Sequence, residues 1–316
     1  MRMPSSKNKP IVFLFGATAS GKTEIAINLA KKFPIELISV DSVMVYKDCN
    51  IGSAKPNKEV LKKYPHQMID IVSPNEIFTV ADFCTLSNQL IKDAHNAKKL
   101  PVFVGGSMMY FKSLFDGMHD LPQRNKEYRE ELQNLKLNSS NQNFLYNMLY
   151  EVDTDYAKKL NKNDEIRIIR ALEVFKITGE PISKILSDNS SNKLSDDYEI
   201  AQFAIIHERE LLHKRILSRL DKIIEEGIIK EAEYLLKKYQ IDNEHPLRKS
   251  VNYKQAFNYL NNEYGYNVFY EKALYATRQL AKRQRTWLRG WKKHKEIDIN
   301  KIDILENSIK KLISLL

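Results

Sequence analysis

The sequence predicts an α/β fold: a P-loop three-layer core with a parallel sheet, plus a helical insertion domain and C-terminal helices. Three observations carry this expectation. Gly16-Ala17-Thr18-Ala19-Ser20-Gly21-Lys22-Thr23 has the G-x-x-x-x-G-K-T spacing of a phosphate loop, set between an apolar run and an amphipathic segment. Further apolar runs end at Asp41 and at Gly105-Gly106, with helical segments between them, which is the alternation of a parallel sheet. Between 118 and 192 that alternation stops and charged helical patterns replace it.

In chain order, Ile11-Val12-Phe13-Leu14-Phe15 is apolar throughout, as a strand buried on both faces requires. The loop follows, and residues 24–32 place apolar groups at helical spacing. A loop between strand and helix forms an anion nest, because backbone N–H groups at a helix start converge on phosphate oxygens. Lys22 adds a point charge, and the Thr23 hydroxyl is placed to ligate Mg²⁺. Residues 36–40 predict a second strand ending at Asp41; 102–104, introduced by Leu100-Pro101, predict a third running into Gly105-Gly106-Ser107. Ligands of such sheets bind at the carboxyl ends of strands, so Gly16, Asp41 and Gly105 are expected at one rim. Helices are expected over 126–137 and 163–178, the second stopped by Gly179 and Pro181. Residues 187–195 are rich in Ser, Asn and Asp and read as a linker. A strand over 200–206 returns the chain to the core, and the remainder is mostly helical. The expected organisation is 1–117 for the first part of the core, 118–198 for the insertion, and 199–316 for the return and the basic C-terminal helices.

A length of 316 residues with 43% hydrophobic and 28% charged residues suits a globular protein in water. No apolar stretch reaches the length of a membrane span, and the first ten residues carry no apolar signal core. Cys49 and Cys84 make neither a disulfide framework nor a zinc pattern, and read as packing residues in a reducing cytoplasm. The balance of 50 Lys+Arg against 40 Asp+Glu leaves a net charge of +10, which favours a polyanionic partner such as nucleic acid.

The third strand ends without the acid that a phosphate-loop ATPase uses to hold Mg²⁺ through water. This weakens a motor or switch NTPase and leaves kinases and other phosphate-handling transferases. Asp41, on the rim facing the loop, can ligate Mg²⁺ or accept a proton from an attacking nucleophile; it can also simply close an Asx turn or cap a helix. Farther on, Arg278, Lys282, Arg285 and Arg289 fall on one helical stripe, beside an apolar face of Leu274, Ala281, Leu288 and Trp291. Arg283, Lys292 and Lys293 broaden the charge, and no carboxylate stands between 278 and 295. That favours a phosphodiester backbone over a merely solvated face. Arg248-Lys249-Ser250-Val251-Asn252-Tyr253-Lys254 is a second basic cluster, with Tyr253 as an aromatic able to stack on a base.

Together and in order, these motifs resemble the tRNA dimethylallyltransferase family (tRNA isopentenyltransferases, or IPP transferases). The resemblance runs from about 9 to 291. It rests on the loop; on Asp41-Ser42-Val43-Met44-Val45-Tyr46 with Asn50-Ile51-Gly52-Ser53-Ala54-Lys55-Pro56; on His66-Gln67-Met68-Ile69-Asp70; on Gly105-Gly106-Ser107-Met108-Met109-Tyr110; on Arg170-Ala171-Leu172-Glu173-Val174; and on Thr277-Arg278-Gln279-Leu280-Ala281-Lys282-Arg283-Gln284 with Thr286-Trp287-Leu288-Arg289.

The resemblance implies transfer of a dimethylallyl group from dimethylallyl diphosphate to N6 of adenosine 37, next to the tRNA anticodon, with release of diphosphate. It implies that Gly16, Ala17, Thr18, Ala19, Ser20, Gly21, Lys22 and Thr23 bind the diphosphate, not ATP, with Thr23 ligating Mg²⁺. Asp41 would hydrogen-bond the adenine N6 and accept its proton, and Ser107 would hold the bridging region of the diphosphate. Arg129 resembles a family arginine facing the diphosphate, with Arg219, or else Arg215, as its cationic partner. Asp41, Ser42, Val43 and Met44 match tRNA-touching segments, as do Ile166, Arg167, Ile168, Ile169 and Arg170, and Lys249, Ser250, Val251, Asn252, Tyr253 and Lys254. The stripe of Arg278, Lys282 and Arg285 adds to that surface for the anticodon stem-loop. A cytoplasmic monomer is expected. Three positions depart from the family pattern: Met44 stands where many members have Gln, Ser107 where Thr is common, and Asn252 where Gly is frequent. A small-molecule kinase shares the loop and the acid after strand two but needs no basic stripe. An adenylate isopentenyltransferase shares fold and donor but takes a free nucleotide, against which the insertion and the stripe argue. A non-catalytic RNA-binding module gives no reason for Asp41 and the loop to coexist.

Overall fold

The structure, a computed structural model, describes residues 9–119, 121–187, 193–291 and 293–316. Of the expected linker, 188–192 lie outside the described residues, as do Lys292 and the first eight residues. The chain divides into two units, Met1–Asp116 with Lys193–Leu316, and Gly117–Asn192.

In the first unit, β1 (Pro10–Gly16) is buried along its whole length, as its unbroken apolar run requires. The phosphate loop joins it to α1 (Lys22–Lys32), whose Ile25, Ala26 and Leu29 turn inward. Next come β2 (Ile35–Val40), α2 (Lys58–Lys63), β3 (His66–Gln67) and α3 (Val80–Asn96), which Thr79 and Asp82 start with a reciprocal capping box. β4 (Leu100–Gly105) is fully buried and leads into α4 (Met108–Asp116).

The second unit is helical. It contains α5 (Lys126–Leu137), α6 (Phe144–Val152), α7 (Thr154–Ala157), α8 (Glu165–Thr178) and α9 (Ile182–Ser187). Gly179 ends α8 with φ of 73°, the left-handed cap that glycine adopts without strain. Leu132, Leu145, Leu149, Ile168, Ile169 and Leu172 form its core. Two expected RNA contacts are thereby corrected: Ile168 and Ile169 are buried in that core, whereas Ile166 is 76% exposed. A helix turns about 100° per residue, so a contiguous block such as 166–170 cannot present every side chain to one ligand.

The chain returns through α10 (Leu194–Asp197), β5 (Glu199–Ile205), α11 (Arg209–Glu225), α12 (Ile228–Lys238), α13 (Pro246–Lys249), α14 (Tyr253–Leu260), the long α15 (Tyr266–Gly290), β6 (Lys295–Ile297) and α16 (Ile302–Ile313). Residues 193–198, expected in the insertion, belong to the first unit, and Leu194 is buried in the same cluster as Phe13 and Phe111.

All six strands pair in parallel, in the order β3-β2-β4-β1-β5-β6. Alternate residues of each strand serve opposite faces. Ile11, Phe13 and Phe15 pack with Phe103, Phe111 and Leu288 on one side; Val12 and Leu14 pack with Ile25, Leu29, Leu305 and Ile309 on the other. This is the expected three-layer core. Among the described residues no helix is long and apolar enough to cross a membrane.

Candidate active site at the phosphate loop

Strand register brings the site together. Phe15 of β1 and Val40 of β2 both pair with Gly105 of β4, so the loop, Asp41 and Ser107 leave adjacent strands at one rim. The contact between β2 and β4 is close: a Cβ on Gly105 would lie 2.1 Å from the Val40 carbonyl oxygen, so only glycine fits there.

The loop bends through left-handed conformations at Ala19 (φ 61°) and Gly21 (φ 86°), and Gly21 caps α1. Its carbonyls are tied back. Lys22 Nζ donates to Ala17 O at 3.0 Å, and Arg215 Nε donates to Ala19 O at 2.8 Å. His207 Nε2 lies 2.7 Å from Ser20 O; a carbonyl only accepts, so this nitrogen carries the proton. The Thr18 N–H donates to Gln284 Oε1 at 2.8 Å. The N–H groups of Ala19, Gly21, Lys22 and Thr23 donate to no acceptor among the described residues. With the carbonyls held away, these unpaired amides at a helix N-terminus suit an anion.

Three charges meet beside the loop. Burial pulls the Lys22 ammonium down from 10.5 to about 8; nearby Arg219 adds to this and Asp41 opposes it. Burial likewise lowers the pKa of Arg219 on α11, and Asp41 again opposes the shift. Of the two arginines left open by sequence, Arg219 faces Lys22 and Asp41, while Arg215 braces the loop backbone. Asp41 Oδ1 accepts the N–H groups of Val43 at 2.8 Å and Met44 at 3.1 Å, so the Asx turn is present. Its Oδ2 accepts no hydrogen bond among the described residues, and the hydroxyls of Thr23 and Ser107 are equally unpartnered there. The carboxylate shapes its turn through one oxygen and leaves the other unengaged among the described residues.

Arg129 lies in the second unit. Its Nε and Nη2 donate to Glu173 at 2.7 and 2.9 Å, and Arg170 shares the same carboxylate. Burial pushes the Glu173 carboxyl up, but the two guanidiniums and the Asn125 N–H outweigh it and hold it at about 2. Arg129 and Arg170 are thus oriented by a buried acid.

On α15, the inner row of Ala273, Thr277, Ala281, Gln284 and Leu288 is buried. Lys282 and Arg289 are exposed on the opposite side, and Arg278 and Arg285 are half-buried. None of these four cations has an ion pair among the described residues, and Arg278 Nε is a buried donor with no acceptor. Burial and the nearby Arg278, Arg209 and Arg285 lower the pKa of His213, which marks where the positive charge of α11 and α15 gathers. A cavity of about 130 Å³ adjoins the loop here, lined by Ala17, Ser20, Leu212, Arg285, Leu288 and Arg289 among others.

The second basic cluster is corrected. Tyr253 is fully buried, and its hydroxyl donates to Glu231 Oε1 at 2.6 Å, so its ring cannot stack on a base. Arg248 lies over the Phe257 ring and donates to Ile241 O, and Lys249 pairs with Glu244. Asn252 has φ of 72°, the left-handed region that glycine favours and asparagine tolerates, and its Nδ2 donates to Gly52 O at 2.9 Å. That accounts physically for asparagine at a glycine-favouring position. Sequence reasoning missed Glu231, which accepts the N–H groups of Asn50, Ile51 and Gly52 and so fixes that segment from α12. It also missed the roles of His207 and Gln284. A polar residue within the buried row of α15 was the available signal for Gln284; nothing in the sequence singles out the other two.

The comparisons agree with this geometry. The family model described as IPP transferase matches residues 44–291. A tRNA dimethylallyltransferase of Francisella philomiragia is 39% identical over 94% of this chain and 94% of its own length. One from Acinetobacter baumannii is 42% identical over 90% of this chain and 92% of its own. The crystal structure of the full-length tRNA isopentenylpyrophosphate transferase of Bacillus halodurans superposes with a TM-score of 0.69 at 31% identity, covering 97% of both chains. A eukaryotic dimethylallyltransferase solved acting on tRNA gives a TM-score of 0.77 at 25% identity, over 96% of this chain and 78% of its own. Family model, relatives of near-equal length and solved folds coincide on one assignment: the chain belongs to the IPP transferase family.

Proposed function

We propose that the protein is a tRNA dimethylallyltransferase that moves the dimethylallyl group of dimethylallyl diphosphate onto N6 of adenosine 37, next to the anticodon, and releases diphosphate. One observation carries this: among the described residues, unpaired loop amides, Lys22 and Arg219 stand beside an Asp41 oxygen with no hydrogen bond, on a unit whose α15 presents cations without ion pairs. The exocyclic amine of adenine is a weak nucleophile, because its lone pair is conjugated into the ring. Asp41 Oδ2 accepts the proton from that nitrogen as the new C–N bond forms. At the other end of the displacement, negative charge grows on the leaving diphosphate. The N–H groups of Ala19, Gly21, Lys22 and Thr23, with the Lys22 ammonium and Arg219, stabilise it where it develops. Ser107 offers a hydroxyl to the diphosphate; within the second unit, Glu173 orients Arg129, the arginine that the family resemblance assigns to the diphosphate.

The open Thr23 hydroxyl suits Mg²⁺, which binds through few protein oxygens and takes its remaining ligands from phosphate and water. Among the described residues no group of three or more His, Cys, Asp or Glu side chains forms a separate metal site. Thr23 would hold the ion, and when bound it would supply charge neutralisation to the departing diphosphate.

For the RNA, Arg278, Lys282, Arg285 and Arg289 are the proposed phosphate contacts of the first unit, together with the Asp41–Met44 turn; in the second unit the exposed Arg167 is a separate candidate. Adenine must leave its stack to reach Asp41, which costs a few kcal/mol that these contacts offset. A single chain acting in the cytoplasm is the proposed working form. The test mixes protein, Mg²⁺, dimethylallyl diphosphate and unmodified tRNA, digests the RNA to nucleosides, and looks for C5H8 added to adenosine by mass spectrometry. Unmodified adenosine, or phosphorylation of a small molecule when ATP replaces the donor, overturns the proposal.

A further inference from the structure

The Gln284 side chain bridges two loops that are distant in sequence. Its Oε1 accepts the Thr18 N–H of the phosphate loop at 2.8 Å, and its Nε2 donates to the Gly106 carbonyl, just before Ser107, at 3.0 Å. Only 8% of Gln284 is exposed. The bridge also constrains position 106: a Cβ on Gly106 would lie 2.4 Å from Gln284 Nε2 and 3.1 Å from Gly16 O. By engaging the Thr18 N–H, Gln284 also determines which amides of the loop remain for an anion. One residue later along α15, Arg285 lies among the cations that gather with α11. A single rigid helix therefore holds a proposed phosphate contact and the clamp on the donor loop one residue apart. A displacement of α15 would carry with it the Gln284 bonds to Thr18 and Gly106.

We infer that Gln284 is a positioning residue that locks the phosphate loop to the Gly105–Ser107 turn and couples RNA occupancy of α15 to donor binding. This rests on the dimethylallyltransferase function proposed above. Donor and RNA affinities are linked reciprocally, and couplings of this kind are typically about 5–150-fold. In the wild type, the anticodon stem-loop RNA tightens dimethylallyl diphosphate binding by a factor in that range.

Gln284→Met keeps the side-chain length but makes neither hydrogen bond. Calorimetry should find donor affinity unchanged by RNA in this variant. Its kcat should fall about 10–100-fold while RNA affinity alone stays within about twofold of wild type. Gln284→Glu keeps the acceptor for Thr18 but opposes the Gly106 carbonyl, so it should fall between the two; it carries the same measurement if the methionine variant does not fold. A double-variant cycle adds a second, independent readout. Gly106→Ala should lower kcat strongly in the wild type and much less in a Gln284→Ala background, where the Nε2 contact is gone. A wild type that tightens no donor with RNA, variants with wild-type kcat and coupling, or additive effects of Gly106→Ala and Gln284→Ala would overturn the inference. If the wild type adds no C5H8 to tRNA, the proposed function itself falls; if it does and the Gln284 variants match it, only the clamp falls.

Discussion

Lys22→Met separates stability from function at the loop. The ammonium is held at about 8 instead of its ordinary 10.5, chiefly by burial. The folded protein therefore binds this proton less readily than the unfolded chain does. At pH 7 the lysine is charged in both states, and confining that charge destabilises the fold by about 3 kcal/mol. Between pH 8 and 10.5 the unfolded chain holds more protons than the folded one, so stability rises with pH as the penalty lifts. By pH 10 less than about 1 kcal/mol of it remains. Methionine has a similar length and no charge, but it removes the donor to Ala17 O, at a cost of about 1 kcal/mol. Lys22→Met should then be more stable than wild type by about 2 kcal/mol at pH 7 and indistinguishable from it near pH 10.

Urea denaturation of both proteins without ligand, at the two pH values, reads this difference directly, because other titrating groups cancel between variants. Pyrophosphate binding, measured by calorimetry at pH 7, should weaken about 10–100-fold in the variant through the lost charged contact. A variant less stable than wild type at pH 7, or a stability difference that does not change between pH 7 and pH 10, would refute the assignment of a confined charge at Lys22.

Three further outcomes are expected. Asp41→Asn keeps an acceptor for the Val43 and Met44 amides, so the thermal midpoint should hold while turnover falls about 10²–10⁴-fold; normal turnover in a prenyl-transfer assay would remove the base role. Charge reversal at Arg278 and Arg285 should weaken tRNA binding and flatten its salt dependence by about one log unit per lost phosphate contact, as filter binding at several salt concentrations will show. Glu173→Gln leaves Arg129 and Arg170 facing a neutral amide and should cost about 3–5 kcal/mol. The stability due to Glu173 is fully present above its ordinary 4.5 and is lost as pH falls toward about 2, so the variant should lose that arm of acid denaturation, followed by circular dichroism.

What the sequence disclosed follows from where local pattern decides structure. β1, the loop and α1 were legible because an unbroken apolar run, a fixed glycine spacing and a helical period adjoin each other. The edge strands β3 and β6 were not, since two and three residues carry no period and their pairing answers the open backbone groups of β2 and β5. Tyr253 was misread because an aromatic in a basic run looks like a stacking platform; its fate is set by Glu231, 22 residues earlier on α12. Gln284 and Thr18 are 266 residues apart, and only the folded sheet reveals that they touch. Asp41 was legible as a choice between turn and base, and the structure accommodates both on separate oxygens.

The crowding at the end of β4 limits the chemistry open to this loop. A Cβ at 105 would strike the Val40 carbonyl at 2.1 Å, and one at 106 would strike Gln284 at 2.4 Å. An acid at 105 would have to move β2, whereas at 106 only the end of the Gln284 side chain stands closer than 3 Å. A carboxylate of the rim stands at the end of β2, where Asp41 Oδ1 accepts two amides and Oδ2 accepts no hydrogen bond among the described residues. The two donated N–H groups fix the orientation of that carboxylate. The proposed base, held in this way opposite the loop amides, Lys22 and Arg219, suits a nucleophile that must lose a proton as it displaces diphosphate.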